Sequence, residues 1–242
     1  MKIIRLLAPA ALFLSMHTAD AQVYSDNIVG YMNRPFVPGY NLFVNQFDNG
    51  TGDMLSSLIP TAPNNTKVFL WNPSTGLFDT TSTYHSVTHT WSLDLTLMPG
   101  TGARLQTSTL FTNTFAGSVV TRSGVPGDIY SPPPVYSGPD GTFLMGDIEP
   151  MADTGTNIFF NILGRAPNPG EQVKILDEAT QTYTISTYLG NDSWDTATPS
   201  LNPGEAAFLT VSSVPEPSTM AIGGLGATVL LIRGRFMRRK TG

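Results

Sequence analysis

Two stretches of the chain carry the same order of apolar and polar positions. Residues 39–110 and 141–212 can be laid over one another at an offset near 104. Asp53 precedes Met54, Leu55, Leu58 and Ile59, while Asn157 precedes Ile158, Phe159, Ile162 and Leu163. Apolar residues at i, i+1, i+4 and i+5 after a capping residue type predict one short amphipathic helix in each stretch, with Asp53 and Asn157 as N-caps. Ala62-Pro63-Asn64 then matches Ala166-Pro167-Asn168, and the apolar run Val68 to Trp71 matches Val173 to Leu176. Tyr84 matches Tyr188, Trp91 matches Trp194, and Pro99-Gly100 matches Pro203-Gly204. Any one match is cheap, but six in order predict a duplicated unit.

Around each helix the pattern changes to short runs of strand length. A first strand covers Tyr40 to Phe47, with a weaker one at Thr142 to Ile148. Lys67–Trp71 and Val173–Leu176 follow, each ending in a turn rich in Asn, Asp, Pro or Gly. The next strand alternates Tyr183, Ile185 and Thr187 on one face with Thr184 and Ser186 on the other. A last strand comes after the Pro-Gly turn, at Ala103 to Leu110 and Ala206 to Val211. The fold class expected is mainly β with one short helix per unit, in two tandem small modules over residues 22–126 and 140–213. Ser131-Pro132-Pro133-Pro134 and its Gly-rich flanks mark residues 127–139 as a linker of polyproline II character.

Composition agrees with this and narrows it. Forty per cent of residues are apolar, only 13% are charged, and Gly (23) and Pro (19) are plentiful, which excludes coiled coils and charge-rich disorder. The frequent threonines suit half-buried pleated surfaces. A net charge of −5 argues against a nucleic-acid partner. That charge is unevenly spread: residues 22–213 net −10, and both ends are basic. Such a split fits membrane targeting at both ends.

Residues 1–21 have the three parts of a secretory signal peptide. Lys2 and Arg5 open it, Leu6 to Met16 form the apolar run, and Ala19-Asp20-Ala21 is an A-x-A cleavage site that leaves Gln22 first. The chain has no cysteine, so a lipoprotein signal, disulfides and thiolate metal sites are excluded. Residues 214–242 read Val214-Pro215-Glu216-Pro217, a short apolar stretch over 218–232, and then Arg233, Arg235, Arg238, Arg239 and Lys240. Fifteen helical residues span about 22 Å, short of a roughly 30 Å hydrocarbon core, so this transmembrane segment would be a marginal anchor with its basic end cytoplasmic. The order of these parts closely resembles the PEP-CTERM sorting signal of exported proteins in Gram-negative bacteria. The resemblance covers only the tail. It implies an exosortase, a membrane protease, as partner, cleavage near the Pro-Glu-Pro segment, and display at the cell surface or in the extracellular matrix. It implies nothing about what the cargo does.

Catalytic chemistry is sparse. His85 and His89 lie four apart in a Thr-rich stretch that reads as a strand, which would hold them about 13 Å apart, too far to share a metal ion. Asp147 with Glu149, or Asp192 with Asp195, could form a carboxylate pair for glycoside hydrolysis, but sequence spacing supplies neither cleft nor separation. The loop Asp48-Asn49-Gly50-Thr51-Gly52-Asp53 has the oxygens and glycines calcium requires, yet it lacks the EF-hand acids. An ordinary β-to-helix turn explains it without a cofactor. Trp71, Trp91 and Trp194 raise carbohydrate stacking. The matched positions of Trp91 and Trp194 favour core roles, and Trp71, matched by Leu176, behaves as an apolar strand residue. The expectation is therefore a non-enzymatic, structural or adhesive surface protein. A glycan-binding module facing an extracellular polysaccharide is the alternative, and a hydrolase comes third.

Overall fold

The computed structural model describes residues 29–120 and 140–212. The signal cleavage residues Ala19, Ala21 and Gln22, the linker 127–139, the motif Val214–Pro217, the segment 218–232 and the basic cluster Arg233 to Lys240 lie outside them.

The first half runs β1 (Val29–Phe36), β2 (Gly39–Val44), β3 (Phe47–Asp48), α1 (Leu55–Leu58), β4 (Lys67–Asn72), β5 (Leu77–His85), β6 (Thr90–Trp91), β7 (Gly102–Thr107) and β8 (Phe111–Val119). The second runs β9 (Gly141–Met145), β10 (Asp153–Thr154), α2 (Thr156–Leu163), β11 (Gln172–Asp177), β12 (Thr182–Gly190), β13 (Ser193–Trp194), β14 (Ser200–Leu201) and β15 (Ala207–Val211). All strand pairs are antiparallel. One five-stranded sheet has the order β2-β7-β4-β5-β6 and the other β9-β15-β11-β12-β13. Matched by place in the chain, the two orders are the same. A three-stranded sheet, β1-β8-β3, belongs to the first half, and β10 pairs with β14 in the second.

Each five-stranded sheet is apolar on both faces, because alternate residues of a strand point to opposite sides. One face packs on the local helix. Phe43, Val68, Tyr84, Trp91, Ala103 and Leu105 meet Leu55 and Leu58 of α1 and Phe36 and Phe115 from the small sheet. In the second half Val173, Tyr188, Trp194, Ala207 and Leu209 meet Ile158, Phe159 and Leu163 of α2. The two tyrosine–tryptophan pairs repeat almost the same geometry: ring centroids lie 5.2 Å apart at 58° for Tyr84–Trp91 and 60° for Tyr188–Trp194. The buried hydroxyls repeat too, with Ser82 Oγ donating to Leu93 O at 2.6 Å and Ser186 Oγ to Ala197 O at 2.9 Å.

The helix caps differ from expectation. Asp53 has φ 52° and its Oδ1 accepts the N–H of Asn49 at 3.1 Å, which closes the preceding loop backwards. The N-cap of α1 is Met54, with no side-chain bond, and α1 has four residues. Asn157 lies inside α2, whose N-cap is Gly155 at φ 60°. That helix stops at Gly164, a left-handed C-cap at φ 72° whose N–H donates to Phe160 O.

The outer faces of the two sheets meet each other. Leu42 and Val44 of β2, with Trp71 and Phe78, pack on Leu144, Leu176, Ala206 and Phe208. The backbone is stitched at two reciprocal points. Phe43 bridges Glu205, and Thr101 bridges Met145. Beside them Val44 N donates to Gly204 O at 3.1 Å, and Gly146 N donates to Gly100 O at 3.3 Å. Exchanging the halves turns one pair of contacts into the other, the signature of an isologous interface. The crossings are too tight for side chains: a Cβ on Gly146 would lie 2.6 Å from Val44, and one on Gly102 2.8 Å from the backbone of Leu144. The exposed edges of β2 and β9 are thus partly covered by the opposite half.

Candidate functional site

Polar side chains buried along this seam fix its geometry. Gln46, 1% exposed, donates to Asp147 O at 3.1 Å and Glu149 O at 2.6 Å, and its Oε1 accepts Gly204 N–H at 2.7 Å. Arg34 of β1 reaches Glu178 at 2.5 Å and Glu205 at 4.0 Å. Burial, with the Glu205 charge nearby, pushes the Glu178 carboxyl up to about 7 against the pull of Arg34. The Arg104 guanidinium lies 4.6 Å from the Tyr40 and Phe69 ring centres and 3.8 Å from that of Phe78. In the turn after β11, Gln181 clamps the opposite strand edge: its Oε1 accepts Tyr40 N–H at 2.6 Å and its Nε2 donates to Tyr40 O at 3.0 Å.

At the other end of the seam an open cleft of about 480 Å³ remains. Its floor is the outer face of the second sheet, where Gln172, Lys174, Thr210, Thr142 and Phe208 stand side by side. Trp71 and the β4–β5 turn, with Pro73 and Gly76, form one wall. The indole Nε1 donates to Thr142 O at 2.7 Å, and the ring packs edge-on against Phe208 at 4.9 Å. The Lys174 ammonium lies 4.4 Å from the centre of the Tyr183 ring. Thr142 and Thr210 hydroxyls meet at 3.1 Å.

The sequence candidates for chemistry are dispersed. His85 ends β5 and His89 sits in the following turn at φ 54°, so they do not share a strand as expected; residues 86–89 reverse the chain before β6. Asp147 and Glu149 are buried against the seam rather than set in a cleft. Asp195 accepts Thr187 N–H at 2.7 Å, and hydrogen bonds from Thr187 and Thr196 hold its carboxyl below its usual range. Asp192 lies in the β12–β13 turn at φ 55°. In the Asp48–Asp53 loop, Asp48 accepts Gly50 N–H and Asn49 accepts Thr51 and Asp53 N–H, so these side-chain oxygens already close the turn. Among the described residues no group of three or more His, Asp or Glu could hold a metal ion. Trp91 and Trp194 are core residues, 7% and 9% exposed. Trp71 is half-buried and borders the cleft, and Lys174, Gln172 and Gln181 are site residues the sequence did not announce.

Where the body ends, Glu171 pins the chain. It is 1% exposed, pairs with Arg165 at 2.6 Å, and accepts the N–H groups of Asn168 and Ser212 at 2.8 Å each. Burial alone would raise its carboxyl, but these partners hold it below its usual value. Ser212 leads directly into the tail. Among the described residues no helix is long and apolar enough to cross a membrane. No curated protein and no solved structure matches the chain. Residues 213–240 match the family model of the PEP-CTERM protein-sorting motif, so the tail has the sorting signal that its residues resemble.

Proposed function

We propose that this chain is an exported surface or extracellular-matrix protein, processed at its C-terminus by an exosortase and serving a structural or adhesive role without catalysis. The sorting-motif match at residues 213–240 is the observation that carries it. The rest of the chain supports the passive role through its build: the candidate acids are buried in the seam or tied up in turns, and the polar side chains of the interior serve architecture. The two halves are copies of one module, units 22–126 and 140–213 joined by 127–139, docked through an internal isologous seam. In this reading the segment 218–232 holds the exported chain in the membrane with its basic end inside, and cleavage near Val214–Pro217 releases the body. The test is mass spectrometry of the mature protein from its host. An N-terminus at Gln22 and a C-terminus within a few residues of Pro217 are expected. A C-terminus at Gly242, or processing unaffected when Pro215, Glu216 and Pro217 are all alanine, refutes the sorting step.

A further inference from the structure

The two ends of the seam are related by exchanging the halves, yet among the described residues only one is closed. Gly76 in the β4–β5 turn and Gln181 in the β11–β12 turn hold corresponding places, both in the left-handed region at φ 66° and 57°. Tyr40 on β2 and Thr142 on β9 correspond likewise. At one end the Gln181 amide fills the space against Tyr40, so closely that a Cβ on Gly39 would lie 2.6 Å from it. At the other end a Cβ on Gly76 would meet nothing within 4 Å, and the cleft opens in front of Thr142. The missing plug creates the cleft.

From this geometry we infer that the cleft walled by Trp71 and floored by Lys174, Gln172, Thr210 and Thr142 binds a polysaccharide chain containing uronic acid. Several observations select this class. Most of the floor stands on β11 and β15, interior strands hydrogen-bonded on both sides, and at the edge strand β9 the Thr142 carbonyl is taken by the Trp71 indole, so an extended peptide finds little main-chain edge to join. What the floor offers is two threonine hydroxyls, an amide and an ammonium, groups that suit the hydroxyls of a sugar. Trp71 has its N–H committed to Thr142 O and is half-buried, so it presents ring surface rather than a donor. A pyranose stacks the C–H face of its ring on such a surface. Lys174 makes no ion pair among the described residues, and no lining residue is acidic, although residues 22–213 net −10. A lone cation kept free of carboxylates in an acidic protein is matched by one carboxylate per sugar, not by a phosphate-dense polymer.

The proposal takes from the sorting reading only the extracellular setting of the ligand, and its test is separate. The full chain is run by affinity electrophoresis through gels holding polygalacturonate, alginate or neutral dextran, and then titrated with a galacturonate hexamer. Retardation by a polyuronate but not by dextran is expected. Trp71 also packs on Phe78 and Phe208, so Trp71→Ala could unfold the seam and is not the deciding variant. The deciding variant is Gly76→Gln, which installs the plug found at the other end in a turn whose twin already accommodates glutamine. It should weaken hexamer binding at least tenfold while the chain still melts cooperatively, with only the small downward shift that a side chain at positive φ costs. Lys174→Met keeps the stem over Tyr183 and Phe208 and should abolish the preference for the uronate over its methyl ester, while Gln181→Ala should leave binding intact. No retardation by either polyuronate, equal retardation by dextran, or undiminished binding in a folded Gly76→Gln chain overturns the proposal.

Discussion

Replacing Glu178 by Gln should make the protein more stable at pH 8 and leave it little changed at pH 5. Glu178 and Glu205 share one buried guanidinium, Arg34, whose side chain is 9% exposed. Both carboxylates are partly withdrawn from water, so the second negative charge is bought at a desolvation cost that Arg34 does not fully repay. The outcome is a folded-state value of about 7 against an ordinary 4.5. The folded protein therefore holds this proton more tightly than the unfolded chain. Stability is highest below about 4.5, declines as pH rises towards 7, and stays at the lower level above it. At about 1.4 kcal/mol per tenfold change in proton affinity the whole span is worth about 3 kcal/mol. The Glu178 side chain retains 17% of its exposure, and solvent screening trims the figure to about 1–3 kcal/mol. Glutamine keeps an acceptor for Arg34 and leaves Glu205 as its counter-charge. Urea unfolding of both chains at pH 5, 6, 7 and 8 measures the effect as a difference, so other titrating groups cancel. The stability of the wild type relative to Glu178→Gln should fall by about 1–3 kcal/mol across that range. A difference independent of pH, or one that grows in favour of the wild type, would refute the reasoning and show an ionised, net-stabilising pair.

Gln46→Leu removes three hydrogen bonds across the seam and leaves Gly204 N–H buried without that acceptor, which should cost about 2–4 kcal/mol in urea unfolding. If the docked halves unfold together, the variant shows one shifted transition; a second, unshifted transition would show that the seam does not couple them. Glu171→Gln should cost about 2–3 kcal/mol at neutral pH, where the paired carboxylate is ionised. In the wild type the Glu171 contribution is present above its ordinary 4.5 and is lost as pH falls through its lower folded value, so the variant should converge on the wild type in acid. A gap between the two chains that does not narrow as pH falls progressively below 4.5 in the unfolding curves would exclude this role.

The matched elements were legible because a similar order of apolar and polar residues carries similar physics. The Pro-Gly pairs end at Gly100 and Gly204, both at positive φ, and both cross the seam through their backbones. The strands expected from Lys67 and from Val173 appear as β4 and β11 within about a residue. Strands β1 and β8 were missed, although Phe111, Asn113 and Phe115 alternate with Thr112 and Thr114 in the period of a half-buried strand. They have no counterpart among the described residues of the other half, so a search by repeat passes over them. The N-caps failed for a local reason. Asp53 has its carboxylate turned back to Asn49, and a capping residue type does not say which N–H it will meet. The cleft was illegible because it depends on the absence of a side chain at Gly76 and on a seam that joins residues about 70 to 140 positions apart.

A seam of this kind also accounts for how two similar modules come to hold unlike ends. In a true dimer each interface residue acts twice, so a plug installed at one end appears at the other. Within one chain the matched positions of the two halves vary separately. The place held by Arg104 among Tyr40, Phe69 and Phe78 corresponds to Phe208, and that of Phe69 corresponds to Lys174. The cation thus stands in a boxed position in the first half and on the floor of an open cleft in the second. Gln181 against Gly76 makes the same division between closure and access. One end carries docking, with Gln181, Arg34 and Glu178 tying β1 and β2 to the second half. The other end has been left free for a ligand. The stability of the seam and the affinity of the cleft share Trp71 and Phe208 but not Gln46 and Gly76, which is why Gln46→Leu and Gly76→Gln should separate them.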